Sequence, residues 1–144
     1  MTKHPIRILL VDDDQMILRL MQHILSSNFG DDLQIVSTSN PGEALTINSH
    51  GGIDICITDL DMPSFNGFNI LKAIKSVDSL TEVIILTSSP SSNAIRSAFA
   101  MGANDYLVKP IHESVLIDTV KFYMARINRF RNEILKTDLV SERN

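Results

Sequence analysis

Five polar side chains of this 144-residue chain stand where apolar runs stop. Asp12 and Asp13 end the run that starts at Ile6, and Asp59 ends the run that starts at Ile53. Thr87 ends the run from Val83, and Lys109 follows Tyr106-Leu-Val. Crowded carboxylates raise one another's pKa unless a cation neutralises them. An all-oxygen donor set suits a hard ion such as magnesium, which keeps several waters and shares a phosphate. A hydroxyl and an ammonium facing that set make a cradle for phosphoryl oxygens. An aspartate in such a place can act as a nucleophile and form an acyl phosphate. The reading is that Asp59 accepts a phosphoryl group and the other four position or activate it.

These residues converge only if the chain brings four strand ends to one edge. Ile6–Val11 reads as a first strand, apolar enough to be buried on both faces. Asp14 is placed to N-cap a helix whose Ile17, Leu20, Met21, Ile24 and Leu25 keep helical spacing. Leu33–Thr38 is a second, more polar strand, and a short helix from Pro41 ends before Gly51-Gly52. The third strand covers 53–59, with Ile at every second position. Phe68, Ile70, Leu71, Ile74 and Val77 mark a third helix, and Glu82–Thr87 a fourth strand. A helix with Ile95, Ala98 and Phe99 follows, with Gly102 as its stop, then a fifth strand over 105–109. Pro110 ends that strand and a last helix begins near His112.

Strands alternating with helices predict an α/β fold: a doubly wound, five-stranded parallel sheet. The most apolar strands belong in the middle, which gives the order 2-1-3-4-5. Ligands of such sheets bind at the carboxyl ends of the strands, where the five polar residues collect.

Composition narrows the function classes. Apolar residues make up 44% and charged residues 21%, ordinary values for a globular chain with one core. No apolar run is long enough to span a bilayer, no signal peptide is visible, and the lone Cys56 suits a reducing cytosol. The net charge of −4 divides unevenly, because residues 126–144 hold five basic against three acidic side chains. The acidic body is a poor surface for direct nucleic-acid contact.

Taken singly, each motif has a plain structural explanation: helix capping for 12–14, a loop at Thr87-Ser-Ser-Pro, a strand stop at Lys109-Pro110, half-buried packing for Tyr106. Their order at four successive strand ends carries the argument, and with it the chain resembles the receiver domain of two-component response regulators over roughly residues 5–125. The acidic pair of that family corresponds to Asp12-Asp13, and its phosphoacceptor to Asp59 in Asp59-Leu-Asp-Met-Pro-Ser-Phe-Asn-Gly67. Its phosphate-contacting hydroxyl corresponds to Thr87, its Lys-Pro (usually a cis peptide) to Lys109-Pro110, and its switch aromatic to Tyr106.

The resemblance implies that Asp59 takes its phosphoryl group from a sensor histidine kinase or a phosphotransfer protein. It implies magnesium held by Asp13, the Asp59 carboxylate and the Asp61 carbonyl, with Asp12 acting through water. It implies that Thr87 moves toward the phosphoryl group while Tyr106 turns inward, so that the face of the fourth helix, fifth strand and fifth helix selects a new partner. The module would catalyse only its own phosphorylation and dephosphorylation, in the cytoplasm, without membrane or nucleic-acid contact. Two positions depart from the pattern. Ser88 replaces a small Ala, which leaves access open. Asp61 stands where Met is common, and an acidic side chain there can hydrogen-bond a water near the phosphoryl group.

Two other classes compete. A phosphatase of the haloacid dehalogenase type would use Asp59 and Asp61 as nucleophile and acid/base, but Met62-Pro63 follows where a small Gly-Thr is usual. A flavin-binding relative of the fold needs a Ser/Thr/Gly loop after the first strand, where this chain has Asp12-Asp13-Asp14.

The tail is read separately. Leu116, Val120, Tyr123, Ile127, Phe130 and Ile134 continue one apolar stripe past the receiver-like domain, residues 1–125. Residues 126–144 are read as a helical extension or linker with Ile127, Phe130 and Ile134 exposed, serving a homodimer contact or leading to an output domain. Arg126, Arg129 and Arg131 are expected to form a solvated face, and 137–144 a frayed end or a linker.

Overall fold

The computed structural model describes residues 4–63 and 65–143, with side chains through residue 138. Five strands, β1 (Ile6–Val11), β2 (Leu33–Thr38), β3 (Ile55–Asp59), β4 (Glu82–Thr87) and β5 (Asp105–Val108), form one parallel sheet in the order β2-β1-β3-β4-β5. Five helices, α1 (Gln15–Phe29), α2 (Pro41–Ser49), α3 (Gly67–Val77), α4 (Ser92–Ala100) and α5 (Glu113–Arg143), alternate with them. The expected fold and strand order are what the molecule has.

Side chains alternate faces along a strand, and the core divides accordingly. Ile8, Leu10, Ile55, Ile57, Ile84 and Leu86 pack under α1 and α5, against Leu18, Met21, Leu25, Leu116, Val120 and Tyr123. Leu9, Val11, Cys56, Val83 and Ile85 point the other way, against Ile70, Leu71 and Ile74 of α3, Ala44 of α2 and Ala98 of α4. The three central strands are buried on both faces, which is why they read as near-continuous apolar runs.

Short polar residues start four of the helices, Asp14 as expected and three others that the sequence reading did not single out. Asp14, Asn40, Asn66 and Ser91 each accept a hydrogen bond from a first-turn amide. β3 starts two residues later than expected, although Asp54 is tied in: its amide donates to the Arg7 carbonyl and its own carbonyl accepts from Glu82. β5 ends at Val108, one residue short of Lys109.

The last helix departs most from expectation. It is continuous to Arg143, so residues 137–143 are helical rather than frayed, and Asn144 lies outside the described residues. Ile127 is half-buried against the α1/α5 core, whereas Phe130 is 50% and Ile134 46% exposed. Two of the three arginines are not simply solvated. Arg126 Nε lies 3.4 Å from Glu82 Oε1, and Arg131 reaches Asp54 Oδ2 and the His4 carbonyl, each at 3.0 Å. The amino ends of β3 and β4 place acidic side chains beside the path of α5, and long basic side chains bend back to them.

Candidate functional site

Parallel strands of similar length end on the same edge, and the registers align these ends. Val11 pairs with Thr58, Asp59 with Leu86, and Thr87 with Val108. The residue after each pairing therefore falls on one rim: Asp12 and Asp13 beyond β1, Asp59 at the end of β3, Thr87 at the end of β4, Lys109 beyond β5.

Asp12 and Asp59 are buried, Asp13 is exposed, and carboxylate oxygens of the three lie within 4.8 Å of one another. Among the described residues this is the one acidic cluster able to hold a metal ion. Lys109 Nζ stands between two of its members, 3.0 Å from Asp12 Oδ2 and 3.2 Å from Asp59 Oδ2. Backbone amides aim the other oxygens: Asp14 N donates to Asp12 Oδ1 at 2.8 Å, and Asp61 N to Asp59 Oδ1 at 2.9 Å. The loop between them closes tightly on α3. A Cβ on Gly67 would come within 2.6 Å of the Leu60 Cα and 2.7 Å of the Asp59 carbonyl oxygen.

The electrostatics follow from burial with too little positive charge. Desolvation pushes the Asp12 carboxyl above its ordinary range, and the repulsion of Asp59 adds to that. The Asp14 amide and Lys109 oppose the rise without cancelling it. Burial alone would lower the Lys109 ammonium, but its hydrogen bond to Asp12 and the charges of Asp12 and Asp59 outweigh burial and hold it above the usual lysine value. The site is a buried anionic pocket with one fixed cation.

Thr87 is buried, yet its hydroxyl does not meet the cluster. It donates to Asp61 Oδ2 at 3.1 Å, and the same oxygen accepts from Ser88 N at 3.3 Å and Ser88 Oγ at 3.5 Å. The Asp61 carboxylate is thus turned to β4 and is not one of the clustered carboxylates. Sequence reasoning treated Ser88 only as small and missed its two donors; the signal available was a hydroxyl pair, Thr87-Ser88, on the strand beside Asp59-Leu-Asp61. Tyr106 is 40% exposed and its ring meets Phe99 of α4 edge-on, with centroids 6.4 Å apart. Lys109–Pro110 is a cis peptide. Cys56 is buried in β3 and its thiol pKa is pushed up by desolvation, so it is inert packing.

Comparison with known proteins agrees with this geometry. The family model described as the response regulator receiver domain matches residues 8–121. Chemotaxis protein CheY of Pseudomonas aeruginosa is 28% identical over 127 residues, covering 85% of this chain and 98% of that protein. Transcriptional regulatory protein CiaR of Streptococcus pneumoniae is 32% identical over 131 residues, covering 90% of this chain and 56% of CiaR. The chain spans about half the length of such larger relatives. A solved response regulator receiver domain protein from Clostridium thermocellum superposes with a TM-score of 0.77 at 30% identity, covering 87% of this chain and 98% of that one. The phosphatase alternative, which needs Asp59 and Asp61 to act side by side, finds no support in these matches, and the Asp61 carboxylate is engaged elsewhere. With that family model matched over residues 8–121, and with an acid pair, a third carboxylate, a hydroxyl and an ammonium at four strand ends of a sheet of order 2-1-3-4-5, this chain belongs to the receiver domain family of two-component response regulators.

Proposed function

We propose that Asp59 is the phosphoacceptor and that the chain is a phosphorylation-driven switch rather than an enzyme acting on a separate substrate. The observation that carries this is the pairing of a buried strand-end carboxylate, Asp59, with the Lys109 ammonium inside a group of three carboxylates. In the reaction an Asp59 oxygen attacks the phosphorus of a phosphohistidine on a kinase or phosphotransfer protein. An O–P bond forms, the P–N bond breaks, and the imidazole leaves with its electron pair and takes a proton from solvent.

The donor set fits a divalent metal. Asp12, Asp13 and Asp59 offer only oxygen, and three carboxylates against one ammonium leave a net negative pocket. Asp13 and Asp59 would hold magnesium directly, with the Asp61 carbonyl, and Asp12 through water; the metal would supply positive charge to the incoming phosphoryl oxygens. Lys109 stays with Asp59 and meets a phosphoryl oxygen. Thr87 donates its hydroxyl to another. Movement of Thr87 vacates space that Tyr106, now beside Phe99, turns to fill.

Partner choice then changes on the face made by α4, β5 and α5. We take residues 1–125 as the receiver unit and 126–144 as an extension leading to an output domain or to a second copy. The exposed Phe130, Ile134 and Leu135 support the second copy. Among the described residues no helix is long and apolar enough to cross a membrane.

The test is intact mass after acetyl phosphate with magnesium. The native chain gains one phosphate and Asp59→Asn gains none. Equal gain by both would remove Asp59 from this role.

A further inference from the structure

The side chain of Asp61 does something that the reaction just described does not use. One of its oxygens, Oδ2, collects the Thr87 hydroxyl, the Ser88 amide and the Ser88 hydroxyl, at 3.1, 3.3 and 3.5 Å. Thr87 is held from its other side as well, since its Oγ1 accepts the Ser89 amide at 3.1 Å. Hydroxyls and amides gathered on one anionic oxygen form an anion cradle, and charge-assisted bonds of this kind are the stronger ones. The cradle is occupied, and its occupant belongs to the chain itself.

The geometry points to Asp61 as an internal competitor for the phosphoryl group, a latch that keeps Thr87 in its resting position until Asp59 is phosphorylated. The reasoning has two steps, and it rests on Asp59 being the acceptor. First, the Thr87 hydroxyl has one proton to donate. While it goes to Asp61 Oδ2 it is unavailable to a phosphoryl oxygen on Asp59. Second, two anions on one small set of donors repel, so a phosphoryl group beside Thr87 expels the Asp61 carboxylate. Asp61 is exposed and can turn into water without stranding a buried charge. The latch therefore releases at the surface, while Thr87, buried at the end of β4, is the part that moves inward. Asp61 is a positioning residue acting through Thr87. It sets how readily the module is phosphorylated and resists small phosphodonors that bring no binding energy of their own.

The experiment compares native protein, Asp61→Ala, Asp61→Asn and Asp59→Asn with acetyl phosphate and magnesium, following mass gain in time. The latch predicts roughly tenfold faster phosphorylation of Asp61→Ala, the scale expected when a charge-assisted hydrogen bond no longer has to be broken. Asp61→Asn, which keeps an acceptor but no charge, falls between. The same substitution is then made with Thr87→Val. If the latch acts through Thr87, the gain shrinks to about threefold or less, because the two changes are coupled. A tenfold gain that survives Thr87→Val means that Asp61 acts by bulk charge alone, and overturns the latch. So does an Asp61→Ala rate equal to or below native while native is labelled on Asp59. Absence of label from native and Asp61→Ala alike overturns the acceptor reading itself and the latch with it.

Discussion

Lys109 and Asp59 meet at 3.2 Å between Nζ and Oδ2, and the same ammonium lies 3.0 Å from Asp12 Oδ2. One cation from the end of β5 thus stands between carboxylates from β1 and β3. It offsets part of the repulsion that burial of Asp12 and Asp59 creates.

Removing that cation should harm stability and chemistry differently. Lys109→Met leaves two buried carboxylates without their partner, a change that typically costs about 3–5 kcal/mol. The loss, measured by urea unfolding without metal, should shrink when magnesium is added, because a ligand that binds only the folded state stabilises it. Phosphorylation should stay depressed by about 100-fold or more even with saturating magnesium, the scale seen when a preorganised charge partner is lost.

Asp12 supplies a pH-dependent test. Its folded-state pKa lies above the ordinary carboxyl value, through desolvation first. A raised carboxyl pKa makes folding take up protons, so the penalty is absent below the unfolded-state pKa of about 3.9 and complete above the raised folded value. Asp12→Asn should therefore melt higher than native at neutral pH without metal, and the difference should vanish at acid pH. A gain of about 1 kcal/mol would read as roughly 4 °C in a chain of this size. Lys109 runs in the opposite sense: its pKa is raised, so its support persists below the ordinary lysine value and is lost as pH rises through the higher folded one.

Gly67 tests the loop after Asp59. A methyl group there meets backbone at 2.6 Å, which cannot swing away as a side-chain tip would. Gly67→Ala should cost about 1–3 kcal/mol, the usual range for overpacking, seen as a lower melting temperature. Because the clash falls on Leu60 and the Asp59 carbonyl, phosphorylation should slow as well.

The end of α5 tests the extension. Arg131→Ala removes the contacts to Asp54 and to the His4 carbonyl and should cost about 1 kcal/mol, since the arginine is only partly buried. Phe130→Asp with Ile134→Asp should leave the receiver unit folded, because about half of each side chain is already in solvent, and lower its melting temperature only by what association contributes. Native protein should sediment as a dimer at micromolar concentration and the double variant as a monomer. A native monomer that never associates would remove the homodimer.

Much of this was legible in the chain because the central strands are buried on both faces. Such strands show as apolar blocks, and the blocks end in the chemistry. Val11 to Asp12 and Ile57 to Asp59 are changes of residue type that mark an edge without knowledge of the neighbours. What could not be read are contacts between residues far apart in sequence and close in space. The bond of Thr87 to Asp61 depends on the relative height of β3 and β4. The retention of Arg126 and Arg131 depends on Glu82 and Asp54 standing at the opposite edge of the sheet. The apolar stripe from Leu116 to Ile134 has one period throughout, so its spacing alone gives no sign that cover ends between Ile127 and Phe130.

The length of α5 has a mechanical consequence. At about 1.5 Å per residue, a straight helix from Glu113 to Arg143 is a rod of roughly 45 Å. Its first turn follows the loop that carries Lys109, and Arg131 pins it to Asp54 near the opposite edge. More of the rod lies before that pin than beyond it, so a tilt of a few degrees beside the ammonium becomes an opposite and smaller sideways shift of the distal turns. Whatever grips those turns would feel displacement rather than charge.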